Sequence, residues 1–421
     1  MKNRHKTFAM AVTAALISPA IVCNISSATD ASTSVPSATS FKDVPTSHWA
    51  YSSILEVASK GLITGYSDGT FRPASNVTRA EFASILARAF DGNERVKTTF
   101  KDVPTTHWAY DAINEGVALG FINPSDYSSG QFEPNKPMTR AEISKWLTGS
   151  LKATNSQYAE IEKTIRNSEL TLLPIAEFTK GTLPKNDVGT VGVMVGTGLL
   201  SGYTDGTFKP SGNTNRAEVA SIILRYLNVS KKNPTDFREL NELLEVAETG
   251  TNFHTMGGVF VNEDKGRNWE TLKKETHLMR NGNGTIRVNR MILVDTRDRT
   301  NFKGIYKELF NQMAKVSTNM TQYSSMFIAV EHAYKPIKST PNADWYTKIS
   351  PSHSLLSSMP TYKDSRFNLP TSDTYRTAWK FDKNGEQLMW HGTMMLDRTN
   401  NGRALLQHIT SEKDYTMIIN K

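Results

Sequence analysis

Nine residues that occur twice at one fixed spacing constrain this chain more than any other feature. Phe41-Lys42-Asp43-Val44-Pro45 followed by His48-Trp49-Ala50-Tyr51 returns 59 positions later as Phe100-Lys101-Asp102-Val103-Pro104 and His107-Trp108-Ala109-Tyr110. Thr78-Arg79-Ala80-Glu81 returns as Thr139-Arg140-Ala141-Glu142 and again as Asn215-Arg216-Ala217-Glu218. The loop Gly65-Tyr66-Ser67-Asp68-Gly69-Thr70-Phe71-Arg72-Pro73 returns as Gly202-Tyr203-Thr204-Asp205-Gly206-Thr207-Phe208-Lys209-Pro210. Such periodicity marks supersecondary units that bury their apolar faces only by stacking on neighbours. Three units are expected, at 41–99, 100–160 and 161–229, with an insertion at 149–177 before the third that contains a helical stretch at 159–165.

Each unit reads as helix, loop, helix. A first helix starting near Trp49 places Ile54, Val57 and Ala58 on one face, and Gly61 supplies the left-handed residue that stops it. Turn chemistry follows in Tyr-Ser-Asp-Gly-Thr, and Pro73 fixes an extended segment. A second helix then carries Phe82, Ile85, Leu86 and Ala89 on its buried stripe.

Thr78 with Glu81, and Asn215 with Glu218, fit a capping box in which side chain and backbone satisfy each other. That accounts for the first and last residues of the motif and leaves the arginine. A cation in the first turn faces the positive end of the helix dipole and is mildly unfavourable. Two readings are open for Arg79, Arg140 and Arg216: an anion site beside free helix amides, or an ion pair to a neighbouring unit's aspartate. Trp49 and Trp108 are likewise core residues or flat platforms for a sugar ring.

These residues resemble the S-layer homology family of bacterial surface proteins, in a set of three modules covering residues 41 to about 229. The resemblance implies an all-α-rich, pseudo-threefold trimer of helix-loop-helix repeats whose grooves bind the secondary cell wall polymer attached to peptidoglycan, often pyruvylated. It implies non-covalent mooring to the wall of a Gram-positive-type bacterium. Carried over by position, the polymer-binding set is Asp43, Trp49, Gly65, Asp68 and Arg79 in the first unit. Asp102, Trp108 and Arg140 follow in the second, and Gly202, Asp205 and Arg216 in the third. The second unit departs where Phe121-Ile122-Asn123-Pro124 follows Gly120, and the third has Asn186 where tryptophan is expected.

The ends of the chain need composition. Lys2, Arg4 and Lys6 precede a short apolar run from Phe8 to Cys23 and small residues to Ala28, the pattern of a secretory signal peptide over 1–28. A lipoprotein anchor on Cys23 is disfavoured by the bulk of Val22. Cys23 is the only cysteine, so the mature chain is expected to hold no disulfide and no cysteine-ligated metal. Residues 29–40 form a Ser/Thr/Ala-rich linker. Of the formal +8, residues 29–229 carry net −1 and residues 230–421 net +6. The basic excess therefore lies away from the repeats.

Residues 230–421 read as an α+β domain with a mainly antiparallel sheet. Helices are expected at 235–248 and 302–316, a hairpin from 276–280 and 286–294 around Asn281-Gly282-Asn283-Gly284, and strands at 326–330, 377–381, 387–395 and 415–419. The six histidines here are scattered, and no nucleophile elbow or phosphate loop is present. Asp295 and Asp298 alternate with Arg297 and Arg299 as a solvated turn, and Glu331-His332, after the apolar run ending at Val330, reads first as a strand-end pair and is the catalytic candidate hardest to dismiss. No catalytic residue, metal or cofactor is assigned. The half is read as a structural or adhesive domain capable of self-association in a surface layer, with an enzyme acting on wall or host polymer as the alternative. Neither nucleic acid nor a membrane span in the mature form is expected.

Overall fold

Two elements of each repeat, a pair of helices joined by a proline-terminated loop, are built as the apolar spacing dictates. The computed structural model describes residues 40–90, 96–97, 100–261, 263–278, 284–298, 301–316, 324–337, 366–367, 369, 385–396, 404–409 and 414–419. The expected signal peptide over 1–28, the expected linker up to residue 39, the expected turn at 281–283 and the expected strand at 377–381 lie outside the described residues.

The first unit contains α1 (Tyr51–Ser59) and α2 (Arg79–Phe90), and the second α3 (Tyr110–Ala118) and α4 (Arg140–Thr154). The insertion supplies α5 (Gln157–Asn167), and the third unit contains α6 (Ala176–Thr179), α7 (Lys185–Thr197) and α8 (Arg216–Val229). Gly61 ends α1 at φ 68, and the Leu62 amide reaches back to the Val57 carbonyl at 2.9 Å, closing a Schellman turn. The first helix starts at Tyr51 rather than Trp49. The His48 Nδ1 accepts the Ala50 amide at 3.1 Å and caps the turn before it.

Three extended segments before the second helices meet and bond in a cycle. The Val77 amide donates to Thr214 O, the Thr214 amide to Met138 O and the Met138 amide to Val77 O, at 3.0, 3.0 and 2.8 Å. All three residues are fully buried. The first helical amides then extend the pattern outward: Arg79 N donates to Lys136 O, Arg140 N to Gly212 O and Arg216 N to Ser75 O, each at 2.9 Å. Donors that a helix start leaves orphaned are thus satisfied by the neighbouring unit.

Beyond the third unit, α9 (Arg238–Thr249) lies against α7 at a face cleared of side chains. A Cβ on Gly196 would stand 2.8 Å from the Leu240 Cα, and one on Gly192 3.3 Å from Leu243 Cδ2. The seven strands of the sheet are β1 (Gly258–Phe260), β2 (His277–Leu278), β3 (Gly284–Asp295), β4 (Ser324–Pro336), β5 (Gln387–Leu396), β6 (Ala404–Ile409) and β7 (Asp414–Ile419). They run in the order β1-β7-β6-β5-β4-β3-β2, and every described pairing is antiparallel. A bulge between Val288 and Arg290 shifts the β3–β4 register.

Both faces of the sheet are covered. On one, α10 (Trp269–Lys274) lays Trp269 and Leu272 over Met291, Leu293 and Val330. On the other, α11 (Lys307–Val316) seats Phe310 against Trp390, ring centroids 5.2 Å apart. This second core is continuous with that of the repeats. Arg290 strengthens the junction by donating to the Leu170 and Thr171 carbonyls of the insertion while gripping Glu331. The described residues contain no helix long and apolar enough to cross a membrane.

Candidate functional site

The acid of each repeat holds a strained turn. The Asp43 carboxylate accepts the Phe71 and Arg72 amides at 2.8 and 2.7 Å, and Asp102 does the same for Phe132 and Glu133. In the third unit Glu177 takes this place, accepting the Phe208 and Lys209 amides. Arg72, Glu133 and Lys209 sit at φ 56, 55 and 53, a left-handed conformation that L-residues avoid. Each precedes a proline, so no flanking freedom absorbs the twist. The sequence reading missed Glu177, although Ile175-Ala176-Glu177 repeats the order of apolar residue, spacer and acid seen in Phe41-Lys42-Asp43.

The three arginines close the ring from the side. Arg216 of the third unit donates from Nε to Phe71 O at 2.8 Å and from Nη2 to Thr64 O at 2.7 Å, both in the first unit. Arg140 of the second unit donates to Phe208 O and Ser201 O of the third, at 2.8 and 2.9 Å. Arg79 of the first unit reaches Phe132 O of the second at 2.7 Å, but adds carboxylates: Glu133 at 2.9 Å and Glu142 at 2.5 Å. All three are buried. Neither open reading of the sequence describes them fully, because the partners are mainly backbone carbonyls of the next unit. Nor are the first helical amides free, since the same neighbours occupy them.

One substitution explains why Arg79 differs. Where the first and third units carry Arg72 and Lys209, the second carries Glu133. Burial disfavours charge on Arg79, but the hydrogen bonds it donates to Glu142 and Glu133, together with the charges of Glu142 and Tyr127, jointly outweigh that and raise the pKa above the usual guanidinium value. Arg216 has no such compensation, and burial lowers its pKa. Among the described residues no carboxylate lies within ion-pair distance of Arg140 or Arg216, and the Nη1 of each carries no hydrogen bond. Those atoms are also absent from the buried unpartnered groups, so they open to solvent.

A tyrosine faces each guanidinium. Arg216 lies 5.0 Å from the Tyr66 ring centroid, with Arg72 at 3.9 Å; Arg140 lies 4.8 Å from the Tyr203 ring, with Lys209 Nζ at 4.2 Å. Tyr127, in the loop that lost its Asp-Gly-Thr turn, takes the same place 5.1 Å from Arg79. Asp68 and Asp205 are turn formers: each accepts the amide and hydroxyl of the threonine two residues on and pairs with the following cation. The Thr70 hydroxyl leads in holding the exposed Asp68 carboxyl down at about 2. Gly65 and Gly202 leave room for the backbone of that turn, since a Cβ would stand 2.9 and 3.1 Å from Thr70 O and Thr207 O.

Trp49 and Trp108 are not core residues. They are 66% and 65% exposed, and each indole stacks on the preceding histidine at 5.8 Å. In the C-terminal half, Glu331 is buried and held by Arg290 and Asn289, with the Asn289 amide at 2.5 Å, while Asp295 pairs with Arg297 at 2.7 Å. The described residues hold no cluster of three or more metal-ligating side chains.

The family model of the S-layer homology domain matches three segments of this chain, residues 40–83, 99–143 and 181–220. A cell surface glycoprotein of Acetivibrio thermocellus is 33% identical over 196 residues, 44% of this chain and 8% of that protein. A cellulosome-anchoring protein of the same organism is 38% identical over 123 residues, 28% of this chain and 27% of that protein. An endoglucanase of a Bacillus species is 26% identical over 186 residues, 44% of this chain and 18% of that enzyme. The chain thus spans less than a third of the length of each of these relatives.

Proposed function

Since its N-terminal half carries three S-layer homology domains, we propose that this chain moors itself non-covalently to a bacterial cell wall by binding the secondary cell wall polymer. The three units act as one pseudo-threefold assembly, and residues 230–421 are displayed on it as a structural or adhesive domain. The cyclic hydrogen bonds support the first part. The names of the surface and anchoring relatives support display at the cell surface.

The observation that carries the reading is the unspent Nη1 of Arg140 and Arg216. Each guanidinium is already oriented by two carbonyls, so an acidic substituent, such as a pyruvyl carboxylate, gains a charge-assisted bond without ordering the donor. Tyr203 with Lys209, and Tyr66 with Arg72, supply a ring face and a second cation. The Arg79 groove has its charge met by Glu133 and Glu142 and contributes stability in place of recognition. Two grooves are therefore read as polymer sites, with Trp49 and Trp108 as exposed stacking platforms. The set Asp43, Asp102, Gly65 and Gly202 shapes the loops.

Purified chain is expected to sediment with wall sacculi and to stay in solution once the secondary polymer is extracted from them. Equal binding to extracted walls overturns the reading. The endoglucanase relative keeps an enzymatic alternative for residues 230–421 in view, yet its foremost candidate, Glu331, is engaged by Arg290 inside the sheet. A clearing zone on peptidoglycan zymography, lost on Glu331→Gln with the fold intact, would reverse that preference.

A further inference from the structure

Between the third repeat and the C-terminal half lies an open cleft of about 840 Å³. Its size falls in the range of roughly 300–1,000 Å³ usual for ligand sites. One wall is the loop of the third unit, from Ser201 through Tyr203 to Gly206; the other is the segment 301–307 with the start of α9. Tyr203 is shared: its ring stacks with Arg140 in the groove between the second and third units and also lines this cleft. Groove and cleft thus meet at Tyr203.

The far wall is held in place. The Ile305 amide donates to the buried Glu242 at 3.2 Å, and the Lys303 amide to Asp295 O at 3.1 Å. Gly304 fits where a Cβ would stand 2.9 Å from the Glu242 carboxylate. On the near side Phe367 packs against Gly206, at a distance of 3.2 Å from where its Cβ would be. Pre-positioned walls lower the entropy lost on binding.

We propose that this cleft is a glycan subsite, completed by the C-terminal half, which takes the next stretch of the acidic polysaccharide engaged at Arg140. The proposal rests on the anchoring reading above. The chemistry of the lining selects the ligand class. Tyr203 and Phe302 offer aromatic faces for sugar rings, and glycine-rich backbone offers peptide groups that an apolar ligand would leave unsatisfied. Lys303 and Lys307 face the cleft as point charges, while Glu239 and Glu308 share its rim. That mixture suits a chain of hydroxyl-rich sugars bearing spaced carboxylates. The C-terminal half is then part of the receptor, beyond being cargo.

The test uses the full chain and polymer fragments released from sacculi and graded by length. Lys303→Glu with Lys307→Glu is compared with Lys231→Glu with Lys232→Glu, which makes the same change of charge on exposed residues of the linker before α9. The first pair is expected to weaken binding of long fragments about tenfold, a loss of about 1.4 kcal/mol, and to leave the shortest fragments unaffected. The second pair is expected to change neither. Hydrogen exchange at 301–307 is expected to slow when long fragments are added. Unchanged affinity in the first pair, or equal loss in both, overturns the subsite while leaving the anchor standing. Absence of binding by the unaltered chain overturns both.

Discussion

Arg216 donates to the carbonyl of Phe71 at 2.8 Å across 145 positions of sequence, while Asp43 holds the amide of the same phenylalanine. Phe71 is fully buried, so its peptide groups have no water to fall back on. Arg216→Ala strips the buried Phe71 O of its donor, at roughly 1–3 kcal/mol, while Thr64 O belongs to an exposed residue and can turn to water. A loss of about 1–3 kcal/mol in denaturant unfolding is expected. Lysine should recover little, because one ammonium lacks the fork that spans two carbonyls.

The left-handed residues before the prolines give a second prediction. Lys209 at φ 53 is strained whatever its side chain, and its amide is already bound by Glu177. Lys209→Gly should leave the melting temperature unchanged or raise it, as relief of about 1 kcal/mol offsets the added freedom of the unfolded chain. Lys209→Val should lower it clearly, since a β-branched residue fits this conformation worst. The reverse order would remove the strain argument.

Trp49→Ala with Trp108→Ala separates recognition from stability. Surface substitutions usually alter stability by within about 0.5 kcal/mol, and both indoles are mostly exposed. Chemical unfolding should be nearly unaltered while sedimentation with sacculi falls several-fold. Loss of stability with intact wall binding would assign the pair a packing role.

Glu242 predicts a pH dependence. Burial pushes its carboxyl up to about 7, against the pull of Arg238 at 3.0 Å and the Ile305 amide. In the folded state it holds its proton through a window in which the unfolded chain, near 4.5, has released it. Stability from this group is therefore greatest below about 4.5 and declines as pH rises toward 7, where the cost levels off at on the order of 3 kcal/mol. Glu242→Gln should flatten that slope between pH 5 and 7, measured as unfolding free energy against pH. An unchanged slope would place the titration elsewhere.

The repeats were legible because their signals are local. Thr78 with Glu81 and Asn215 with Glu218 form the capping boxes read from spacing, each with both bonds present. What the arginines touch was not legible, since their partners are carbonyls, which every residue possesses and no letter announces. Glu177 hid for a related reason: a longer acid does the work of Asp43 and Asp102 from a slightly displaced position. In the C-terminal half the helices at α9 and α11 followed their apolar spacing, whereas β6 was missed and β3 and β4 run longer than expected. Strand length is decided by pairing partners far along the chain. Glu331 shows the same limit, because an acid after an apolar run reads alike whether it meets a substrate or an internal arginine.

The cycle of Val77, Thr214 and Met138 fixes a valence. Three donors meet three acceptors and none is left over, so the set of repeats is saturated at three. A fourth copy could enter only by breaking a bond that already exists, and a set of two would expose an unmatched donor at one end and an unmatched acceptor at the other. These faces therefore cannot thread repeats into a filament. Any lattice in which this protein takes part has to be built from its other surfaces.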